Sequence, residues 1–230
     1  KLRHRFDRFR GFGNGIDECA YSAHLLRDYK ITALPVESEY WQGRNRSSFN
    51  LLTQKYGLKK LSLPVAFDGA NRERVTMTKS RFDAALWGKV EIYLPNGFFY
   101  TCILDSAGEL EYDGEEHGRA SYELIGMQHK ARVTVKSSTF SCSSTIPFTD
   151  CIITGTTTGT SGSIGAITFS GLTSGKVVVV DGINKRFLYD GAPDAQDFAW
   201  INFPYLVPGE NTILTTGLSG VEIQYDPTFM

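Results

Sequence analysis

Residues 203–230 read FPYLVPGENTILTTGLSGVEIQYDPTFM, and this stretch carries the strongest evidence for a β-rich fold. Pro208 and Gly209 suit the central positions of a type II turn, because proline fixes φ at about −65° and glycine accepts a positive φ. After a glycine-containing turn at residues 217–220, residues 221–225 alternate apolar and polar side chains, which is typical of a strand with one solvated face. We therefore expect the chain to finish as a β-meander whose last strand belongs to a sheet.

The rest of the second half also favours strands. Residues 137–175 are rich in Ser, Thr and Gly, but isoleucine and phenylalanine recur among them at strand spacing. We interpret them as short strands joined by small-residue turns rather than as a linker. Residues 176–181 (KVVVVD) form a continuous apolar run, as expected of a strand buried on both faces. Six or more short strands without a helix predict a β-sandwich over residues 136–230.

The first half combines strands with one helix. Residues 60–67 place their apolar side chains on alternate positions, which predicts a strand. Ser80 is expected as the N-cap of a short helix that ends near Trp87. An aromatic hairpin follows, and then a long strand over residues 120–135. This order predicts a mainly β protein whose N-terminal domain, residues 1–135, is a small α+β unit built on an antiparallel sheet.

Composition and charge argue against several classes of partner. Apolar residues make up 41% of the chain and charged residues 21%, which is enough for buried cores. The formal net charge of −1 gives no reason to expect a nucleic-acid partner. No apolar run approaches the roughly 18–20 residues that span a bilayer, and no secretory signal is evident, so no membrane partner is expected. Residues 1–132 are net positive and residues 133–230 net negative, which supports a domain boundary there.

Residues suited to catalysis or metal binding are scattered along the chain. The four histidines form no metal-like motif, and His117, the one with carboxylate neighbours, is interpreted as a solvated loop residue. The carboxylate-rich residues 109–116 lack the order of a hand-type calcium loop and are interpreted as a solvated edge. The cysteines are expected to be free and mostly buried, although Cys142 and Cys151 could pair in an oxidising setting. We expect no enzyme activity, no catalytic residue, no metal and no cofactor.

Aromatic residues, 13% of the chain, are the better indication of function. Aromatic residues and arginine dominate the energetics of protein interfaces. Residues 34–49 have the composition of an arm or loop, and this segment combines both residue types. We expect a subunit interface there, formed by Tyr40, Trp41, Gly43, Arg44 and Arg46.

Three segments of the second half resemble the distal tail protein (Dit) family of siphophages. They are KVVVVDGINKRFLYDG, FPYLVPGENTI and VEIQYDPTF, at residues 176–191, 203–213 and 221–229. The first half matches the family in the order of its elements, with an extended segment that ends at Gly43-Arg44. The family often shows a G-R-x-G phrase there, whereas this chain has Arg46-Ser47 where the last glycine would stand.

The resemblance implies an N-terminal split-barrel-like domain that closes into a hexameric ring, and a C-terminal galectin-like β-sandwich. It implies a structural virion protein at the tail tip of a phage or prophage, assembled in the cytoplasm of the bacterial host. The hexameric hub would join the tail tube protein to tail-associated, baseplate and receptor-binding proteins. A ring of identical subunits needs heterologous contacts, which an arm can supply.

A carbohydrate-binding module that attaches the virion to the host cell wall is the alternative function. A galactose-type site would need polar and aromatic side chains that converge on one sheet face, and Asn184, Arg186 and Trp200 are the candidates. Six weak sites on one ring could bind by avidity. A fold alone does not establish such a function, however, and residues 136–230 contain no histidine.

Overall fold

The structure, a computed structural model, describes residues 9–11, 15–16, 22–34, 37–42, 49–55 and 57–230. The chain divides into a first unit that ends at His129 and a second unit, Lys130–Phe229. The described residues are mainly strands with one helix, α1 (Arg72–Ala85), so the expected mainly β class is confirmed.

The strands of the first unit are β1 (Phe9–Gly11), β2 (Gly15–Ile16), β3 (Ala23–Leu25), β4 (Lys30–Ala33), β5 (Glu37–Gln42), β6 (Phe49–Lys55), β7 (Leu58–Asp68), β8 (Lys89–Tyr93), β9 (Phe99–Ala107), β10 (Glu111–Tyr112) and β11 (His117–His129). The strands of the second unit are β12 (Val133–Val135), β13 (Thr139–Cys142), β14 (Thr149–Thr157), β15 (Ser161–Ile164), β16 (Ile167–Ser170), β17 (Val177–Asp181), β18 (Arg186–Tyr189), β19 (Ala192–Pro193), β20 (Phe198–Ala199), β21 (Tyr205–Leu206), β22 (Gly209–Thr212), β23 (Thr215–Thr216), β24 (Leu218–Tyr225) and β25 (Thr228–Phe229).

The first unit is built on an antiparallel sheet with the strand order β2-β1-β8-β9-β11-β7-β3. The strand predicted over residues 60–67 is confirmed as part of β7, whose inward side chains are at most 1% exposed. The apolar face of α1 packs against this same core, which it enters through Val75 and Phe82. The helix therefore covers one face of the sheet, as in other α+β units.

The helix begins earlier than the sequence pattern suggested, so the expected N-cap at Ser80 is wrong. Asn71 has an extended backbone, and its side-chain oxygen accepts a 2.9 Å hydrogen bond from the backbone N–H of Arg74. That geometry makes Asn71 the N-cap. The first turns are almost entirely polar and expose all but Val75, which explains why their apolar periodicity is weak. The end expected near Trp87 is confirmed to within two residues, because α1 ends at Ala85 and Gly88 adopts φ +88° shortly beyond it.

The long strand expected over residues 120–135 is two strands. Strand β11 ends at His129, and residues 133–135 form β12, which pairs with β24. Both segments alternate in the same way, and alternation alone does not show where one strand stops and a different pairing begins.

The two larger sheets of the second unit share one apolar core, the arrangement of a β-sandwich. One sheet has the order β12-β24-β14-β17-β18-β19 and the other the order β20-β16-β15-β23. Ile153 and Val180 of the first sheet belong to the same buried cluster as Ile164 and Phe169 of the second. Strand β17 is buried on one face, not on both as expected from its apolar run, since Val177 is 39% exposed.

The end of the chain forms strands, but the expected meander is wrong. Strand β22 pairs with β13, β23 pairs with β15, and β24 lies between β12 and β14. Three successive strands thus belong to three different sheets. The last long strand does belong to a sheet, and Gly209 adopts the positive φ of +88° that the predicted turn requires.

Candidate interaction surfaces

The predicted arm contains a β-hairpin. Strands β5 and β6 pair antiparallel from Glu37 opposite Lys55 to Gln42 opposite Phe49. Among the described residues they form a two-stranded sheet of their own. An isolated hairpin is marginally stable in water, so it gains by packing against another surface.

The residues of the predicted subunit interface fall in and beyond this hairpin. Tyr40 and Trp41 are consecutive residues of β5, just after a shift in the register between Glu39 and Tyr40. Gly43, Arg44 and Arg46 lie outside the described residues. The structure thus places the two aromatic positions near the tip of a strand pair.

A polar cluster in the first unit joins residues that are far apart in the sequence. The two carboxylate oxygens of Asp68 lie 3.1 Å from His24 Nε2 and 2.8 Å from His117 Nδ1. The cluster borders a cavity of about 560 Å³ that Arg27, Asp28 and other residues also line. Sequence spacing gave no signal for this cluster, because β3, β7 and β11 become neighbours only in the sheet.

This cluster lacks the parts of a nucleophilic or metal site. Its described lining contains no serine, threonine or cysteine that a histidine could activate. Over the part of the chain that the structure describes, no group of three or more His, Cys, Asp or Glu side chains could hold a metal ion. Its contacts link the side chains of three neighbouring strands, β3, β7 and β11.

The candidate sugar-binding residues Asn184 and Arg186 are engaged in a turn. Asp181 is 3% exposed and accepts hydrogen bonds from the backbone N–H of Asn184 (3.0 Å), the Asn184 side-chain amide (2.8 Å) and Arg186 Nε (3.0 Å). Burial alone would raise the pKa of the Asp181 carboxyl, but these hydrogen bonds outweigh burial and hold the pKa below its ordinary value of 3.8. The network stabilises the connection between β17 and β18.

Trp200, the third candidate, belongs to a different cluster. Its ring lies 4.7 Å from that of Phe187 and 6.3 Å from that of Phe203, measured between centroids. Phe187 follows Arg186 in β18, and consecutive side chains of a strand point to opposite faces. The structure therefore brings Asn184 and Arg186 together and places Trp200 with the aromatic rings on the other side of the strand.

The cysteines of the described residues are free thiols. Cys102, Cys142 and Cys151 are all buried and unbridged. Burial raises the pKa of the Cys102 thiol to about 12, and it has the same effect on Cys151. Thiols of this kind are unreactive at neutral pH. Within the described residues, no helix has the length and apolar character needed to cross a membrane.

Comparison with known proteins identifies the fold. No protein-family model and no curated protein matches the chain. The chain is similar to the crystal structure of the Dit protein (gp 19.1) of phage SPP1, a hub of the adsorption apparatus of phages that infect Gram-positive bacteria. The two are 12% identical, the match covers 100% of both chains, and the TM-score is 0.71.

Two baseplate structures show the same likeness. Chains of the phage P2 baseplate in its activated conformation match with 11% identity and a TM-score of 0.54 in the structure with Ca, and with 10% and 0.55 in the structure with Sr. Each match covers 98% of both chains. At these identities the likeness establishes the fold, and the chain has a Dit-like phage tail hub fold. The resemblance first noted in the sequence is confirmed at that level.

Proposed function

We propose that the chain is a structural virion protein of a phage or prophage tail tip and that it assembles into a hexameric hub. One observation carries the proposal: the match to SPP1 Dit extends over the whole of both chains. An agreement limited to a sandwich would fit many proteins, since sandwiches serve many functions. Here the match takes in both the α+β unit and the β-sandwich of this chain.

The first unit, together with the hairpin, would form the ring. A closed ring of identical subunits needs one surface of each subunit to contact a different surface of the next. The β5–β6 hairpin suits this role, because it stands as a separate two-stranded sheet among the described residues. Tyr40, Trp41, Gly43, Arg44 and Arg46 would supply the anchors.

The second unit would be a galectin-like domain of the hub. The ring would join the tail tube protein to tail-associated, baseplate and receptor-binding proteins. Its place would be the tail tip of the virion, after assembly in the cytoplasm of the bacterial host. We propose no catalytic role, because the described lining of the Asp68 cluster holds no serine, threonine or cysteine, and Asp181 is bound by an amide and a guanidinium group.

The mass of the purified protein tests the ring directly. Light scattering of the chain, alone and mixed with the tail tube protein of the same genome, is expected to show six times the monomer mass in at least one condition. Negative-stain images should then show six-fold rings. A monomer in both conditions would refute the hexameric hub.

The carbohydrate-binding alternative receives less support from the geometry. Its three candidate residues divide between the Asp181 turn and the Phe187 aromatic cluster. A glycan array would test it, because binding that is lost in Trp200→Ala would favour a sugar platform. Binding to no glycan would remove the alternative.

A further inference from the structure

One region of the second unit exposes a concentration of large apolar side chains. Ile201 is 88% exposed and Leu214 is 70% exposed, and Phe148, at 61%, packs edge-on against Tyr205 with ring centroids 4.9 Å apart. We call this region the apolar patch. Its exposed members are Phe148, Trp200, Ile201, Tyr205, Val207 and Leu214.

Contacts join Phe148, Trp200, Tyr205 and Leu214 to one groove. Phe203 and Tyr205 line a groove of about 270 Å³, and Ile213, which precedes Leu214, lines the same groove. The Leu214 carbonyl accepts a 2.8 Å hydrogen bond from the backbone N–H of Gly165, which also lines it. Trp200 lies against the rings of Phe187 and Phe203. Tyr205 is thus the patch member that lines the groove, and Phe148, Trp200 and Leu214 contact residues of its lining.

Buried aromatic rings and a strand pairing fix the position of the patch. Phe187 is 3% exposed, and its ring stacks on those of Phe198 and Phe203 at centroid distances of 4.7 and 4.9 Å. Strand β21 pairs with β14 through Tyr205 opposite Asp150. A surface that is already ordered loses little conformational entropy on binding. Contiguous exposed apolar surface of this kind marks a site of interaction.

Three carboxylates lie close to the patch along the chain, and the backbone N–H of Asp194 bonds to the carbonyl of Phe187, whose ring contacts Trp200. The nearby cation Lys185, 5.7 Å from the Phe203 ring, is already paired with Asp150. Asp194 and Asp197 precede Trp200 in the sequence, and Glu210 follows Val207. Among the described residues, no cation forms an ion pair with any of these three carboxylates. The other five carboxylates of the unit each pair with a lysine or arginine, in the pairs Arg132–Asp226, Lys136–Glu222, Lys176–Asp190, Lys185–Asp150 and Arg186–Asp181.

We infer that the apolar patch binds a segment of another protein that carries lysine or arginine beside aromatic or aliphatic side chains. The apolar side chains of that segment would fill the groove and cover Ile201 and Leu214. Its cations would meet the three carboxylates that form no ion pair among the described residues, since complementary charge steers and orients association. A sugar fits less well, because Ile201 and Leu214 offer its hydroxyl groups no hydrogen bond.

The inference is independent of the hexameric ring, because every residue that it uses belongs to the second unit. A monomeric protein would refute the ring and leave the patch to be tested. Conversely, a patch that binds nothing would leave the ring assignment untouched.

Two synthetic peptides test the chemistry of the partner. One alternates lysine with leucine and tryptophan, and the other has glutamate in place of every lysine. Each is labelled with fluorescein and titrated with the full chain at 150 mM salt, with anisotropy as the readout. We expect the lysine peptide to bind at least ten-fold more tightly than the glutamate peptide, and an increase to 500 mM salt to weaken it several-fold, because salt screens exposed charges.

Matched variants locate the binding. The double variant Asp197→Lys and Glu210→Lys should weaken the binding of the lysine peptide at least ten-fold. The control, Asp105→Lys with Glu109→Lys, makes the same change in net charge in the first unit and should leave this binding unchanged. Ile201→Ser should weaken binding several-fold, and Val177→Ser, at another exposed apolar residue of the second unit, should not. Thermal unfolding of each variant checks that it is folded.

Several results would overturn the inference. They are equal binding of both peptides, binding of neither, and binding that the Asp197 and Glu210 changes leave intact. If Ile201→Ser instead lowers the assembled mass of the protein in the absence of any peptide, the patch contacts a second copy of the chain. If N-acetylglucosamine oligomers bind and displace the lysine peptide, the patch is a sugar platform.

Discussion

The hydroxyl of Tyr122 donates a 2.6 Å hydrogen bond to Asp83 Oδ1 and so fastens β11 to α1. Tyr122 is completely buried, and its ring packs edge-on against Phe67 and Phe82. Burial, together with the Asp83 carboxylate, raises the pKa of the Tyr122 hydroxyl, so this group remains a donor throughout the physiological range. One side chain thus joins the helix to the sheet through both apolar and polar contacts.

Replacement of Tyr122 by phenylalanine should destabilise the first unit by about 1–2 kcal/mol, because the ring contacts remain while one hydrogen bond to a carboxylate is lost. The midpoint of urea unfolding measures the loss. Tyr112→Phe is the control, since it removes an exposed hydroxyl that bonds to Thr76 Oγ1 at 2.6 Å and should change the midpoint little. Equal shifts in the two variants would contradict the assigned role of Tyr122.

Two substitutions distinguish the two possible starts of α1. Asn71→Ala removes the side-chain oxygen that accepts from the Arg74 N–H, and it should cost about 0.5–2 kcal/mol of unfolding free energy. Ser80→Ala changes an exposed position inside the helix, where alanine is the better helix former, and it should be neutral or slightly stabilising. A larger loss at Ser80 than at Asn71 in thermal unfolding would mean that the helix begins at Ser80.

Acid should destabilise the second unit through Asp181. Its pKa is lowered in the folded state, so the stabilisation is fully present above the unfolded value of about 3.9 and is lost as pH falls through the lower folded value. Asp181→Asn should therefore lower stability at pH 7 and flatten the decline below about pH 4. Urea midpoints between pH 2 and pH 7 measure both effects, with Asp197→Asn, at an exposed position, as the control. An unchanged decline in Asp181→Asn would assign the acid sensitivity to other groups.

The buried thiols should resist labelling in the folded protein. The pKa values of Cys102 and Cys151 are raised to about 12, so the reactive thiolate is scarce at pH 8, and burial blocks the reagent. Peptide mass mapping after maleimide treatment should find Cys102, Cys142 and Cys151 unmodified without denaturant and fully modified in guanidinium. Rapid labelling of the folded protein at any of the three sites would show that its surroundings open.

The predicted arm should hold the subunits together. The double variant Trp41→Ala and Arg44→Ala is expected to reduce the assembled mass, because it removes an aromatic and an arginine anchor. Light scattering over a dilution series measures the shift. The control is Trp87→Ala with Arg74→Ala, which alters a Trp that is 85% exposed and an Arg at the exposed start of α1. A double variant at 41 and 44 that retains the original mass at every dilution would refute the arm assignment.

Strands were predictable from the sequence where one face meets a core. Alternation identified β7 and β24 because their inward residues must be apolar. The strands that pair with them were not predictable in this way. Alternation shows which side chains point to the core, but it does not show which strand lies next in the sheet. This is why the alternating pattern predicted that residues 133–135 continue β11 and that the chain ends as a meander. For α1, Asn71 followed by Glu73 in the first turn was a capping signal that the weak apolar pattern concealed.

The candidate surfaces were predictable only in part. Sequence composition singled out Trp200 but not Ile201, Tyr205 or Leu214, because an apolar residue in a strand-rich segment is usually a core residue. Their exposure depends on which side of the sandwich each short strand presents. The pairing of His24 and His117 with Asp68 likewise required the sheet register, which sets His24 opposite Ala66 and His117 opposite Asp68.

The position of β24 has a consequence for biosynthesis. Tyr225 faces Val133 on one side and Cys151 on the other, so this strand is synthesised after both of the strands that it joins. Until it emerges, β12 and β14 lack the strand that separates them, and unpaired strand edges are templates for aggregation. Truncation before Leu218 would therefore leave β12 and β14 without the strand that pairs with both.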